Sequence, residues 1–196
     1  MADTLDEVRR RAKRCRDCPL WANATQTVFG AGDPHARVML VGEQPGDEED
    51  RKGLPFVGPA GRLLDRALEA AGVDRGHLYV TNAVKHFKWQ LRGKRRLHKT
   101  PAQREIDACH QWLEREVAAI RPQVVVCLGA TAARAVISKD FKVSLQRGRF
   151  VESPLAPHVF ATLHPSALLR LKDEEEKERA FEQFVKDLKL ISKALK

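Results

Sequence analysis

The chain has 196 residues, 43% of them hydrophobic, enough for one well-filled core and too few for two. Thirty-five Lys and Arg against 26 Asp and Glu leave a formal charge of +9, so polyanions are the first partners to consider. No apolar run approaches the roughly 20 residues needed to span a bilayer, and Met1 to Lys13 is charged throughout without an apolar h-region, so a cytoplasmic, membrane-free protein is expected, and a monomer is the partner state expected with it.

In chain order, the opening segment carries Arg9, Arg10, Arg11, Lys13, Arg14 and Arg16, a helix face that reads as solvated or as a second basic patch. Four apolar runs then predict buried strands: Val38 to Val41, Leu78 to Val80, Val124 to Leu128 and Val159 to Leu163. Helical periods separate them. Pro59 suits a first turn, and Leu63, Leu64, Ala67, Leu68 and Ala71 form one stripe closed by Gly72. Thr100-Pro101-Ala102-Gln103 has capping-box spacing ahead of Ile106, Cys109, Leu113, Val117 and Ile120, with Pro122 as the stop. Thr131 to Ile137 predicts a shorter helix. Asp173-Glu174-Glu175-Glu176 opens the last, which turns Phe181, Phe184, Val185, Leu188 and Ile191 to the core. Strands alternating with helices predict an α/β three-layer sandwich around a central four-stranded parallel sheet, as one domain over residues 1–196.

Ligands of open α/β sheets bind beyond the carboxyl ends of the strands. Those ends carry the polar residues: Glu43 after the first strand, Thr81 and Asn82 at the second, Gly129 and Thr131 at the third, and His164-Pro165-Ser166 at the fourth. The first end is the richest. Gly42-Glu43-Gln44-Pro45-Gly46-Asp47 and the following Pro55-Phe56-Val57-Gly58 supply backbone amides, a carboxylate and a flat apolar face for one small planar ligand.

From Lys85 to Lys99 the chain reads KHFKWQLRGKRRLHK, with seven Lys or Arg, Phe87 and Trp89, and no acidic residue. Such density self-repels unless an external anion neutralises it, and aromatics interleaved with it can stack on bases. The stretch reads as nucleic-acid-binding. Cys15-Arg16-Asp17-Cys18 is a C-x-x-C pair and Cys109 lies on the helix after Thr100, whereas Cys127 sits inside a buried strand as a core residue. A metal site built on three cysteines needs a fourth ligand, with His86 and His110 as candidates, and Cys3His suits zinc or an iron-sulfur cluster alike.

The motifs GEQPGDEED (42–50), PFVGPAGRLLD (55–65), TNAVK (81–85), LGATA (128–132) and HPS (164–166) resemble those of the family 4 uracil-DNA glycosylases, iron-sulfur enzymes of the uracil glycosylase superfamily. Gln44, His86 in place of a cysteine, and the inserted basic loop of about residues 90–100 containing KRRLHK (94–99) resemble the UdgX branch, whose members excise uracil and stay covalently bonded to DNA through a loop histidine. The resemblance implies a 4Fe-4S cluster on Cys15, Cys18, His86 and Cys109. It implies a substrate pocket of Gly42, Asp47, Phe56, Asn82 and Ser166, in which Phe56 stacks on an extruded uracil and Asn82 reads its Watson–Crick edge. His164 would bond the ring oxygen that gains charge, His98 would be the nucleophile, Glu43 would orient it and take its proton, and Gln44 would help to position the loop. Lys94, Arg95, Arg96, Lys99 and Arg170 would hold DNA, with uracil-containing single strand, or a base flipped from duplex, as substrate and uracil as product. The competing expectations are a multiple-turnover glycosylase in which water attacks, and a nucleic-acid-binding module without chemistry.

Overall fold

The computed structural model describes residues 3–196. The elements run α1 (Leu5–Ala12), β1 (Ala31–Gly32), β2 (Val38–Gly42), α2 (Asp47–Lys52), α3 (Pro59–Ala70), β3 (Leu78–Asn82), β4 (Trp89–Arg92), β5 (Arg95–His98) and α4 (Gln103–Ile120). There follow β6 (Val124–Leu128), α5 (Ala130–Val136), α6 (Val143–Gln146), β7 (Phe150–Val151), β8 (His158–Thr162), α7 (Pro165–Leu169), α8 (Glu174–Leu188) and α9 (Leu190–Ala194).

The four expected strands, β2, β3, β6 and β8, pair in parallel at the centre of the sheet. The sheet itself has six strands in the order β1-β3-β2-β6-β8-β7, because two antiparallel pieces of two residues each close its edges. Runs that short carry no periodic signal. Both faces are covered, one by α3 and α8 through Leu64, Leu68, Phe184 and Leu188, the other by α4 and α5 through Leu113, Val117, Ala132 and Val136. Coverage on both sides is why the parallel strands read as continuous apolar runs. The register brings Gly42 beside Asn82 and Leu128 beside Thr162, so the carboxyl ends of all four strands meet along one rim.

Three expectations about local structure change. α4 begins later than Thr100: its N-cap is Ala102, and Glu105 supplies the cap by accepting from the Ala102 amide at 2.6 Å. The last helix breaks at Lys189, so Ile191 belongs to α9. The inserted basic loop is an ordered antiparallel hairpin, β4 paired with β5 so that Trp89 lies opposite His98 and Arg92 opposite Arg95. Its two-residue turn has Gly93 first, at φ +60°, as a II′ hairpin turn requires.

Candidate active site

Two loops build the floor of the rim between them. Glu49, on α2, accepts from the Gly58 amide at 2.7 Å and the Gly46 amide at 3.2 Å, so one buried carboxylate ties the loop after β2 to the loop before α3. Between those loops stands Phe56 at φ +56°, a left-handed conformation that an aromatic residue adopts only when its surroundings impose it. Its carbonyl packs so closely on Gly61 that no side chain fits there. Gly42 is constrained from the other side: a Cβ on it would collide with Asn82 Oδ1 and stand 2.6 Å from Phe56 Cζ. The missing side chain is what lets the Phe56 ring and the Asn82 amide converge.

His164 completes this group, its ring centroid 6.2 Å from that of Phe56. It caps α7, and its Nδ1 accepts from the Ser166 amide at 3.2 Å with Ser166 Oγ at 2.8 Å. Arg170 in turn donates to Ser166 Oγ at 3.0 Å and to the Ser166 carbonyl at 3.1 Å. A backbone N–H on Nδ1 leaves the proton of a neutral imidazole on Nε2. Burial holds the ring neutral by pulling its pKa down to about 4, a pull that the nearby Glu43 carboxylate only partly opposes. The result is a neutral N–H donor fixed in direction. Gly129, at φ +89°, allows this close fit, since a Cβ there would meet His164 Cβ at 2.8 Å.

Glu43 lies on the same rim, accepts from Thr131 Oγ1 through Oε2, and holds His98 Nε2 at 2.9 Å through Oε1. Burial pushes its carboxyl upward, but the hydrogen bonds from His98 and Thr131, with the fields of His98 and His164, outweigh that and lower the pKa. An ionised carboxylate therefore faces the half-exposed His98 ring. Gln44 is buried and spans the hairpin base: its Nε2 donates to the carbonyls of Lys99 at 3.0 Å and Lys88 at 3.2 Å, while its Oε1 accepts from the Lys88 amide at 3.1 Å. It positions the hairpin.

Several sequence-predicted roles change. Arg96 is not a free DNA contact: its guanidinium bonds Asp47 at 2.5 Å, Asp50 at 2.6 Å and Thr25 Oγ1 at 3.2 Å, and covers the rings of Phe87 and Trp89. The Asp47 side chain, expected to bind substrate, accepts from Arg51 and anchors the hairpin through Arg96. Ser166 acts on His164. Lys85 and Lys88 leave the nucleic-acid-binding stretch, the first buried against Glu116 and the second paired with Glu105. Lys94, Arg95 and Lys99 remain exposed without an ion-pair partner among the described residues, and the exposed Arg170 is tied to the His164 group through Ser166. Sequence reasoning missed Glu49, Thr131 as the Glu43 partner, and Lys85 with Glu116; their partners lie on separate elements.

Cys15, Cys18 and Cys109 gather in a third core cluster between α1 and α4, with Cys127 apart and fully buried in β6. Burial raises all three thiols, Cys109 to about 12, and Cys15 and Cys18 stand near enough to add to the rise at Cys109. Trp112 Nε1 donates to Cys15 Sγ at 3.2 Å. His86 shares a cavity with Cys15, bonds Thr27 Oγ1 at 2.9 Å through Nε2, and keeps a buried Nδ1 with no protein partner. His110 pairs with Glu114 instead. Among the described residues no set of three or more His, Cys, Asp or Glu side chains closes on a single ion. Three thiols in one core cluster, with an imidazole beside Cys15 whose Nδ1 is orphaned, are a donor set whose chemistry fits a Cys3His iron-sulfur cluster.

A rim that combines a flat aromatic face, a carboxamide set against it, a neutral imidazole donor and a flanking cationic hairpin has the chemistry of a nucleobase-processing class of site. The chain belongs to the uracil DNA glycosylase superfamily, whose family model matches residues 29–189. It is 36% identical to a type-4 uracil-DNA glycosylase of Thermotoga maritima, over 97% of this chain and 96% of that protein. It is 35% identical to the type-4 enzyme of Archaeoglobus fulgidus, over 89% of each. A type-5 uracil-DNA glycosylase of Pyrobaculum aerophilum is 31% identical over 84% of this chain and 76% of its own length. No described helix is long and apolar enough to cross a membrane.

Proposed function

We propose that this chain excises uracil from DNA and then remains joined to the resulting abasic site through His98. An extruded uracil stacks on Phe56, Asn82 reads its Watson–Crick edge, and His164 Nε2–H meets the ring oxygen on which charge develops. Extrusion costs a few kcal/mol, offset by that stacking and by phosphate contacts from Lys94, Arg95, Lys99 and Arg170. The C1′–N1 bond breaks with its electron pair leaving on uracil, and a positioned donor at the developing anion is worth on the order of 3 kcal/mol. An amide set for uracil meets mismatched donors and acceptors on cytosine, which supplies the discrimination.

The deoxyribose cation left behind is captured by the lone pair of His98 before water arrives, forming a carbon–nitrogen bond. The ring nitrogen facing Glu43 releases its proton to that carboxylate, so charge balances. The observation that carries this reading is the 2.9 Å contact between His98 Nε2 and Glu43 Oε1, with Glu43 itself held by Thr131. Incubation with a uracil-containing single strand followed by a denaturing gel tests it: a heat-stable retarded band is expected, and its absence refutes the covalent step. The second reading is ordinary turnover with water as the nucleophile, favoured by the extended similarity to type-4 enzymes. It predicts uracil release beyond one equivalent per protein and no retarded band.

Cys15, Cys18, Cys109 and His86 would hold a 4Fe-4S cluster. Bound there, the cluster would act as a staple joining the N-terminal segment, α4 and the turn after β3. The His86 Nδ1 left without a partner supports that ligand set. Brown colour and iron content of the purified protein test it, and a colourless, zinc-containing protein would refute it.

A further inference from the structure

One fully buried ion pair plays no part in the chemistry above. Lys85 is 1% exposed and Glu116 is fully buried, and they meet at 2.5 Å directly beneath the base-reading end of β3. All three ammonium hydrogens have acceptors: Glu116 Oε2, Thr81 Oγ1 at 2.7 Å, and the main-chain carbonyl of Asn82 at 2.7 Å. Glu116 Oε1 collects the Tyr79 hydroxyl at 2.8 Å and the Gly30 amide at 3.1 Å, with Thr81 Oγ1 at 3.0 Å from both carboxylate oxygens. The Lys85 amide donates to Cys109 Sγ at 3.2 Å.

Burying an ion pair of this kind rarely adds stability over apolar residues of the same volume, so its value lies in what the geometry fixes. Three donors on one tetrahedral nitrogen hold three acceptors in a set arrangement, and one of these is the carbonyl of the residue whose side chain stands against Gly42 in the pocket. Beyond Asn82 the chain is fixed again, by amides of Ala83 and Val84 on the carbonyls of Gly42 and Glu43. Asn82 is thus clamped on both sides.

We propose that Lys85 and Glu116 are positioning residues for uracil recognition, gripping Asn82 from below so that its carboxamide is preset for the base. The inference rests on the reading of Asn82 as the uracil-selective residue. An amide free to turn would lose the difference between uracil and cytosine before it lost DNA binding, because the proposed phosphate contacts are made by Lys94, Arg95, Lys99 and Arg170.

The test compares Lys85→Met, the charge-neutral double variant Lys85→Met/Glu116→Gln, Asn82→Ala, and the double variant combined with Asn82→Ala. Each is measured for single-turnover uracil release at saturating protein, for cytosine release, for affinity toward uracil DNA and for thermal melting. The double variant is expected to fold, to bind DNA within about threefold of the parent, and to lose about tenfold or more in uracil release together with selectivity. Added to Asn82→Ala it should cost no more than about twofold further, the non-additivity expected of residues acting through one another. Parental rates in the double variant, full additivity with Asn82→Ala, or failure of both Lys85 variants to fold would each assign the pair to stability and overturn the proposal. If Asn82→Ala itself keeps uracil selectivity, it is the reading of Asn82 that fails.

Discussion

Arg96 on the hairpin donates to Asp50 at 2.6 Å, and that carboxylate is wholly buried while the guanidinium is only 13% exposed. This pair makes the basic hairpin part of the folded body, and it sets the face of β5 that carries His98. Replacing Arg96 by Ala strands the Asp50 charge, a loss of about 3 kcal/mol that thermal melting would register. Adduct formation should slow at the same time, because His98 then rides on a loosened ribbon.

The exposed cations behave differently. Lys94→Ala or Arg95→Ala should leave melting unchanged and weaken binding to all sequences evenly, lowering the salt slope of the DNA affinity by about 0.7 to 1 for each phosphate left unneutralised. A titration of affinity against salt separates the two kinds of arginine: an Arg96→Ala slope reduced as much as that of Arg95→Ala would contradict the latch.

Gly42→Ala tests the pocket geometry. The added methyl would meet Asn82 Oδ1 and Phe56 Cζ well inside contact distance, so uracil excision should fall by about a hundredfold or more while DNA affinity changes little, a loss comparable to that of an oxyanion-hole donor. Single-turnover rates beside binding isotherms would read the split.

The state of His164 gives a pH signature. Its pKa is depressed to about 4 from an ordinary value of 6.5, so the neutral donor persists through mildly acid solution. In a His98→Ala background, which removes the neighbouring imidazole, uracil release should stay flat from pH 8 to about 5 as far as this ring governs it. Stability follows from the difference between the unfolded and folded chains. Between pH 6.5 and 4 the unfolded ring takes up a proton that the native ring refuses, so stability on this account is level above 6.5 and declines as pH falls toward 4. Glu43, with a lowered pKa, contributes stability that is present above its ordinary value of 4.5 and lost as pH drops through the folded one. A rate inflection near 6.5 in this background would show that His164 titrates as an ordinary surface histidine.

The central sheet was legible because strands covered on both faces have no choice but to be apolar, and the rim was legible because their carboxyl ends are where polarity returns. Phe56, Asn82, His164 and Glu43 could be nominated on that ground. What sequence could not supply was partnership across distance. Arg96 looks like its neighbours Arg95 and Lys94 until Asp47 and Asp50 are seen to face it, and Lys85 looks like one more cation of a basic run until Glu116 appears from α4. The hairpin hid for a related reason: its pattern holds too few apolar residues to alternate, and its order comes from Gln44 bonding the main chain of Lys88 and Lys99 at its base.

Intact-mass analysis of the protein after incubation with a uracil-containing oligonucleotide, run beside His98→Ser, tests the covalent account most directly. The account predicts a species at the summed mass of protein and oligonucleotide less free uracil, stable to heat and denaturant, and its disappearance in His98→Ser. Unmodified protein accompanied by several equivalents of released uracil, or an adduct that survives the His98→Ser substitution, would contradict it.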